Sequence, residues 1–405
     1  MPPSAPPRNP RAVLFLTVFI DLMGFGIVIP LLPIYAERQM SASPLAASCL
    51  IAVYSLMQLV FAPLWGRLSD RVGRRPVLLV SLSGSVLSYL MLAGAGSLWM
   101  LFLARVLAGV AGANISVAQA YMADVTSGSE RAKGMGLIGA AFGLGMVIGP
   151  AIGGGLSLVG PRAPELFAAF LCLVNVAMAV RRLPESLPPE LRRSVRLDHP
   201  LAPSSLRGAL AAPGAAALFT ISFLVTLGFA VLEGTFSLKA DRFAYSPGQV
   251  AALWVYMALV AVVVQGRLVG QLAQRVPERA LVAAGTVGLA VGLAWIPFAS
   301  SVLALLAALA LVVGGQGLAS PSLSSLISKT AGVSIHGAAL GLAQSLSAAA
   351  RVLGPAGGGF LFQRLGSGTP YVAAALCAAG AFAIVVPGLR EERRAPGSVV
   401  LRRSG

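Results

Sequence analysis

Long apolar runs alternate with short polar ones along the whole chain. Runs of spanning length occur at about 12–36, 45–66, 77–96, 98–122, 132–158 and 164–181, and again at 213–238, 248–268, 279–299, 301–328, 337–362 and 370–388. An α-helix needs about 20 apolar residues to cross a bilayer, so the pattern predicts twelve membrane helices. They fall as six, a polar segment, then six. The first run contains Asp21, Pro30 and Pro33 and lacks a small-residue cleavage site. It therefore reads as a retained first span and not as a cleavable signal.

The two sets of six repeat. Residues 112–156 align with 317–361 at a constant offset of 205, matching Gly112 with Gly317, Gly136 with Gly341, and Gly149-Pro150 with Gly354-Pro355. Gly66-Arg67-Leu68 recurs as Gly266-Arg267-Leu268, and Gly24-Phe25 as Gly228-Phe229. Both sets start on the same side, so the repeat is parallel, with its axis along the membrane normal. Transporters with this plan bind substrate between the repeats near the midplane. The expected organisation is a first six-helix half at 1–181, a linker at 182–212, a second half at 213–389 and a basic tail at 390–405. The fold class is all-α membrane protein, with twelve helices in two pseudo-symmetric halves.

Composition agrees. The chain has 405 residues, 57% hydrophobic and only 11% charged, with mean hydropathy +0.84. That excludes an ordinary soluble enzyme, a disordered chain and a disulfide scaffold. The net charge of +16 and pI near 11.1 suggest nucleic acid at first sight. The distribution explains them differently. Of the 30 Lys and Arg, 23 fall in the tails, in the linker and in the loops on the side of the N-terminus. Five (Arg38, Arg162, Lys239, Arg242 and Arg364) fall in the opposite loops, and Arg105 and Arg351 lie within spans. This bias puts both termini in the cytoplasm and makes a nucleic-acid partner unnecessary. Cys49, Cys172 and Cys377 are scattered in apolar stretches and form no metal or redox spacing. No phosphate-binding Gly-x-x-x-x-Gly-Lys-Ser/Thr run occurs, so ATP-driven transport by this chain alone is not expected.

The first loop on the N-terminal side reads Gly66-Arg67-Leu68-Ser69-Asp70-Arg71-Val72-Gly73-Arg74-Arg75-Pro76. Its glycines permit a tight turn, and its arginines hold it at an anionic leaflet. Asp70 is the loop's one anion, suited to the positive N-terminal end of a helix from the other half. In the fifth span, Gly145, Gly149 and Gly153 recur every four residues on one face beside Pro150 and Gly154. A smooth, bendable face suits an interface where two halves rock past each other, and it equally suits a static packing seam. Gly354, Pro355 and Gly358 give the eleventh span a similar face.

With these motifs the chain resembles the major facilitator superfamily, in its twelve-span drug–proton antiporter family that includes tetracycline efflux proteins. The loop just quoted carries the resemblance. So do Leu101 through Arg105 to Gly109-Val110-Ala111-Gly112-Ala113 in the fourth span, and Gly145-Met146-Val147-Ile148-Gly149-Pro150-Ala151-Ile152-Gly153-Gly154 in the fifth. Asp21, Gly24, Gly26, Pro30 and Pro33 match the first span. The resemblance implies a gating loop at Gly66, Asp70, Arg71, Gly73, Arg74 and Arg75, an antiporter motif at Gly145, Gly149, Pro150, Gly153 and Gly154, and a part for Arg105 in proton coupling. It also implies a cavity lined by spans one, four, seven and ten. Phe25, Asn114, Gln119, Phe229, Phe236 and Gln316 stand at matching places there.

Intramembrane charges are rare because they are costly, and they default to function. Asp21 lies about nine residues into the first span, roughly 14 Å deep at 1.5 Å per residue. A carboxyl at that depth is a candidate proton carrier, or else a structural hydrogen-bonding group. Arg105 lies in the far half of the fourth span and alternatively snorkels to the interface. Glu233 and Arg351 lie at similar depths, which allows a buried pair; unpaired, Glu233 is a second proton or cation site. Two acids common in tetracycline exporters are missing. Ser88 stands at one place and Ala283-Ala284-Gly285-Thr286 at the other, so a metal–tetracycline chelate lacks two carboxylates. The expected activity is proton-coupled efflux of a small amphipathic compound across a bacterial inner membrane by alternating access. Uptake of a solute on the same fold is the alternative. The protein is expected to be no enzyme, to need no cofactor, metal or ATP, and to work as a monomer with lipid, protons and substrate as its partners. His199 and His336 are expected to be solvated.

Overall fold

A computed structural model of the chain describes residues 10–126, 130–190, 192 and 214–394, and of 131–132, 331–338 and 388–394 the backbone alone. Most of the expected linker, His199, the side chain of His336 and the end of the basic tail lie outside the described residues. No strand occurs among the described residues, and eleven helices are long and apolar enough to cross a membrane. Span one runs Pro10–Val28 and resumes as Leu32–Met40. The break falls at Pro30, which has no N–H for the helical ladder. Span two is Pro44–Val72, span three Arg74–Ala93, span four Leu98–Asp124, span five Arg131–Ser157 and span six Ala163–Arg182. Span seven is Ala215–Arg242, span eight Pro247–Leu272, span nine Glu278–Trp295 and span twelve Thr369–Arg394.

Spans ten and eleven correct the sequence reading. A loop was expected between 328 and 337, but one continuous helix covers Val302–Leu365. The intervening Lys329 to Gly337 contains two glycines, Gly332 and Gly337, and no proline; glycine weakens helical backbone without forbidding it.

Local chemistry sets the boundaries. Ser43, Ser97 and Ser301 precede spans two, four and ten, and their hydroxyls accept the backbone N–H groups of Ala46, Met100 and Ala304 at 3.3, 3.4 and 3.2 Å. Each satisfies one orphan donor of a helix start. Spans two and three are divided by a single residue, Gly73, at φ 108°, a region that L side chains avoid. Span six shows a membrane helix in section. Leu166, Phe170, Leu173 and Val180 form an exposed apolar stripe, while Asn175 is buried and donates to the Thr17 carbonyl at 2.8 Å. An exposed apolar face over a polar-bonded interior suits lipid outside.

By packing, the chain groups into two compact units. One is Met1–Leu197 with Gly234–Leu259, and the other is Asp198–Glu233 with Val260–Gly405. In the first unit, Ser48 donates to the Gly234 carbonyl at 3.1 Å, and Phe236 meets Trp254 edge-on with ring centroids 6.3 Å apart. This grouping follows contacts, whereas the halves 1–181 and 213–389 follow the sequence repeat. The repeat is visible within each unit. Span five lies on span one through Gly149, where an added Cβ would stand 2.7 Å from the Met23 carbonyl oxygen. In the second unit span eleven lies on span seven through Gly354, where a Cβ would stand 2.7 Å from the Ala230 Cβ.

Candidate functional site

Asp21 is the centre of a buried polar group in the first unit. Ser85 Oγ of span three donates to its Oδ1 at 3.2 Å, and Asn114 Nδ2 of span four donates to its Oδ2 at 3.3 Å. Among the described residues no cation stands within ion-pair distance of Asp21. Phe25, Tyr54, Ser88, Tyr89 and Gly112 line a cleft against Asp21, with about 20 Å³ open to the centre of a water molecule. That is room for a water and not for a substrate. Ser85 and Tyr54 were not singled out from the sequence, because nothing in their own surroundings distinguishes them from packing residues.

Arg105 does not snorkel. Only 2% of its surface is exposed, and its guanidinium lies 4.3 Å from the centre of the Tyr54 ring. Its Nε donates to the Leu50 carbonyl at 3.3 Å, and its buried Nη2 has no hydrogen-bond partner among the described residues. The cation–π contact holds the charge, and Phe25 stacks on the same Tyr54 ring with centroids 5.0 Å apart.

The loop arginines build a knot that the sequence only half reveals. Arg74 is buried and reaches Asp70, the Ser69 hydroxyl at 2.7 Å, and Asp124 Oδ2 of span four at 3.2 Å. Glu185, just after span six, accepts the backbone N–H groups of Arg74 at 2.8 Å and Arg75 at 3.3 Å, and those of Ser186 and Leu187. A Cβ at Gly73 would collide with the Glu185 carboxylate. Glycine is thus required there twice, by φ and by space. Asp70 is paired with Arg74 within its own unit. Arg75 donates to the Val180 carbonyl at 2.6 Å. Asp124 and Glu185 were missed. Their signal was available, since they are the acids that end the fourth and sixth apolar runs on the loop's own side.

The second unit carries a related pair with its signs reversed. Glu278 and Lys329 stand 204 and 205 residues after Arg74 and Asp124. Glu278 Oε1 accepts from Lys329 Nζ at 2.8 Å and from the Ser325 hydroxyl at 2.6 Å. At the opposite end of the first unit, Arg38 pairs with Asp241 at 2.5 Å and Arg242 with Glu37 at 3.4 Å. Near the start of the chain, Arg11 donates to Glu130 at 2.5 Å, and that bond and charge hold the Glu130 carboxyl below its ordinary range.

The face made by Gly145, Gly149 and Gly153 suited either an interface between rocking halves or a static packing seam. It is pressed on Leu22, Met23, Gly26 and Ile27 of span one, and only Gly154 meets span eight, at Ala251. Three small residues in register let the two backbones touch, which makes this face a seam. Asn114 was placed in the substrate cavity but is buried and holds Asp21. Phe236 is buried against Trp254 and lines no free surface. Gln119 is exposed, and Phe229 is half-buried. Gln316 gives its amide to Ser320 at 3.3 Å, with its oxygen buried and unpartnered among the described residues. Glu233 feels the charge of Arg351, but no contact within 4.0 Å joins them among the described residues. Ser88 is buried and donates to the Ser85 carbonyl, and Thr286 to that of Ala283, both at 2.9 Å. Glu165 is buried in the first turn of span six with Oε2 unpartnered among the described residues.

The chain is 33% identical to the class C tetracycline resistance protein of Escherichia coli over 352 residues, covering 86% of this chain and 88% of that one. It is 30% identical to multidrug resistance protein 2 of Bacillus subtilis over 358 residues, with 86% and 88% covered. Among solved structures it is similar to the human organic anion transporter MFSD10 (TETRAN), with TM-score 0.68, 26% identity, and 94% and 100% of the two chains covered. The nucleoside transporter NupG shares the fold at TM-score 0.75 and 13% identity, covering 94% of this chain and 98% of NupG. A family model described as Major Facilitator Superfamily matches residues 14–355 and 218–404. A multi-pass helical bundle, a glycine–arginine loop knotted by carboxylates and these likenesses lead to one conclusion: the chain belongs to the major facilitator superfamily of membrane transporters.

Proposed function

We propose that the protein exports a small amphipathic compound in exchange for protons by alternating access, in a bacterial inner membrane with both termini in the cytoplasm. The observation that carries this reading is Asp21. It is a carboxyl buried in a water-sized cleft, held by the neutral donors Ser85 and Asn114 and by no cation among the described residues. A carboxylate that ion-pairs is fixed in its charge, whereas one held by neutral groups is free to exchange a proton. Arg105, parked on Tyr54 with one nitrogen unpartnered among the described residues, is placed to favour the ionised form in another state of the cycle. The tetracycline and multidrug names of the relatives support export. Serine at 88 and the acid-free stretch 283–286 favour an organic substrate taken without a metal chelate.

The test uses acid-loaded inverted vesicles and a broad panel of amphipathic compounds, tetracycline included. At least one compound should trigger proton release and accumulate inside the vesicle. Substrate movement with no proton flux, or accumulation in the uptake direction only, would defeat the proposal.

The loop knot yields a graded expectation in the same vesicles. Asp70→Asn leaves Arg74 with Asp124 and Ser69, so insertion should be normal and the initial transport rate several-fold lower. Arg74→Ala strands two carboxylates that are only 30% and 23% exposed, and leaving such a charge unpaired costs more than the pair contributes. That variant should lose folded yield as well as rate. A wild-type rate in Asp70→Asn would remove the loop carboxylate from the mechanism.

A further inference from the structure

Span four is broken where it meets Asp21. Helix ends at Ala111, a 3₁₀ turn covers Gly112–Asn114, and helix resumes at Ile115. Four successive carbonyls around this turn each receive a side-chain donor. Trp65 Nε1 donates to Val110 at 2.6 Å, Ser81 Oγ to Ala111 at 2.5 Å and Gln58 Nε2 to Gly112 at 3.0 Å; the Ser116 hydroxyl proton is shared between Ala113 at 3.4 Å and the Ala62 carbonyl of span two at 3.3 Å. Inside a membrane no water compensates a carbonyl freed from the helical ladder, so a break persists only where protein donors satisfy it. Here the donors come from span two, span three and the turn's own neighbour. A mid-helix 3₁₀ stretch of this kind marks a hinge.

The last residue of the turn is Asn114, and its amide is one of the two groups that hold Asp21. We propose that Asn114 is the positioning residue that passes the charge state of Asp21 to the hinge in span four. The inference rests on Asp21 as the coupled carboxyl and adds how its proton moves a helix. The two partners of Asp21 differ in chemistry. The Ser85 hydroxyl donates or accepts, so it serves a carboxylate and a carboxylic acid alike; the Asn114 NH₂ only donates. With Asp21 ionised, the Asn114 bond is charge-assisted and about twice as strong as a neutral one. With Asp21 protonated toward Ser85, that bond falls to the neutral strength. A proton on Oδ2 would set two donors against each other and release Asn114 altogether. In either case uptake of a proton loosens the tie between spans one and four, and loss of it tightens the tie.

The other titratable groups facing Asp21 are Tyr54 of span two, Tyr89 of span three and Cys172 of span six, with Arg105 of span four acting on both tyrosines. Span five brings Gly145, Gly149 and Pro150, and no titratable side chain, against this stretch of span one. Asn114 belongs to the turn itself and bonds the carboxyl, so it is the direct link from Asp21 to the hinge.

Trp65 bonds the hinge and reports on it. The experiment uses the full chain in lipid nanodiscs with Trp99, Trp254 and Trp295 replaced by Phe. Trp65 emission and the Asp21 carboxyl infrared band, identified by its loss in Asp21→Asn, are followed across the neutral pH range. The emission should step together with the band. In Asn114→Ala the band should still titrate and the emission step should be lost. If Asn114→Ala fails to fold, Ser81→Ala, which removes a donor on the other side of the same turn, should shrink the step while the Asp21 band is unchanged. An emission step that survives unaltered in these variants, or a titrating Asp21 with silent Trp65, overturns the hinge link and leaves the proton reading standing. Absence of any Asp21 band change overturns both.

Discussion

Asp21→Asn is expected to abolish uphill efflux while leaving substrate binding in place. Asparagine keeps the shape of the side chain and an acceptor for Ser85 or Asn114, and it fixes the neutral state permanently. Coupling between two ligands of one protein is a free energy of roughly 1–3 kcal/mol, or about 5- to 150-fold in affinity, and it is reciprocal. A group that cannot change charge contributes none of it. Substrate accumulation in energised inverted vesicles should therefore drop about tenfold or more, to the passive level. Downhill exchange and equilibrium binding should persist. Substrate-triggered proton release is the deciding measurement. Release retained in Asp21→Asn moves the burden to Glu233, which lies in the second unit near Arg351 without a closed ion pair among the described residues. Loss in Glu233→Gln alone establishes that exchange of roles, and loss in both variants establishes a two-site relay.

Gly149→Val should have the largest effect on folding. A Cβ at Gly149 would lie 2.7 Å from the Met23 carbonyl oxygen and 2.8 Å from the Gly26 Cα. Both obstacles are backbone, so no rotamer change relieves them and the helices must part. Overpacking a tight contact costs about 1–3 kcal/mol. Here the strain also passes to the stretch of span one that carries Asp21. Monodisperse protein from membranes and transport per folded molecule should both fall severalfold. Gly139→Val in the same helix is the control, because nothing lies within 4 Å of its added Cβ. Equal behaviour of the two variants would show that the seam is not tightly packed in the membrane.

The order of the spans was legible because a bilayer imposes its length on every apolar run. The parallel repeat was legible because residues at a fixed offset had to satisfy the same contacts twice, as Gly149 on span one and Gly354 on span seven do. The fusion of spans ten and eleven was not legible, since an interval with two glycines and no proline reads as loop by composition and folds as helix by its hydrogen bonds. The glycine face of span five was legible as a close-approach surface, while its neighbour, span one, was not. A stripe of small residues says that something comes close and does not say what.

What the sequence determined by itself is therefore what depends on local chemistry: helix lengths, serine caps, the glycine turn at 73 and the presence of a carboxyl within span one. What only the tertiary structure decided is pairing. Arg74 met Asp124 and Glu185 met the Arg74 backbone across more than 49 residues of chain. Asn114 became the holder of Asp21 from 93 residues away. Arg105 was sheltered on Tyr54 instead of reaching an interface. Partners of this kind follow from how helices cross, and a helix places a residue on a face without naming the helix that the face will meet.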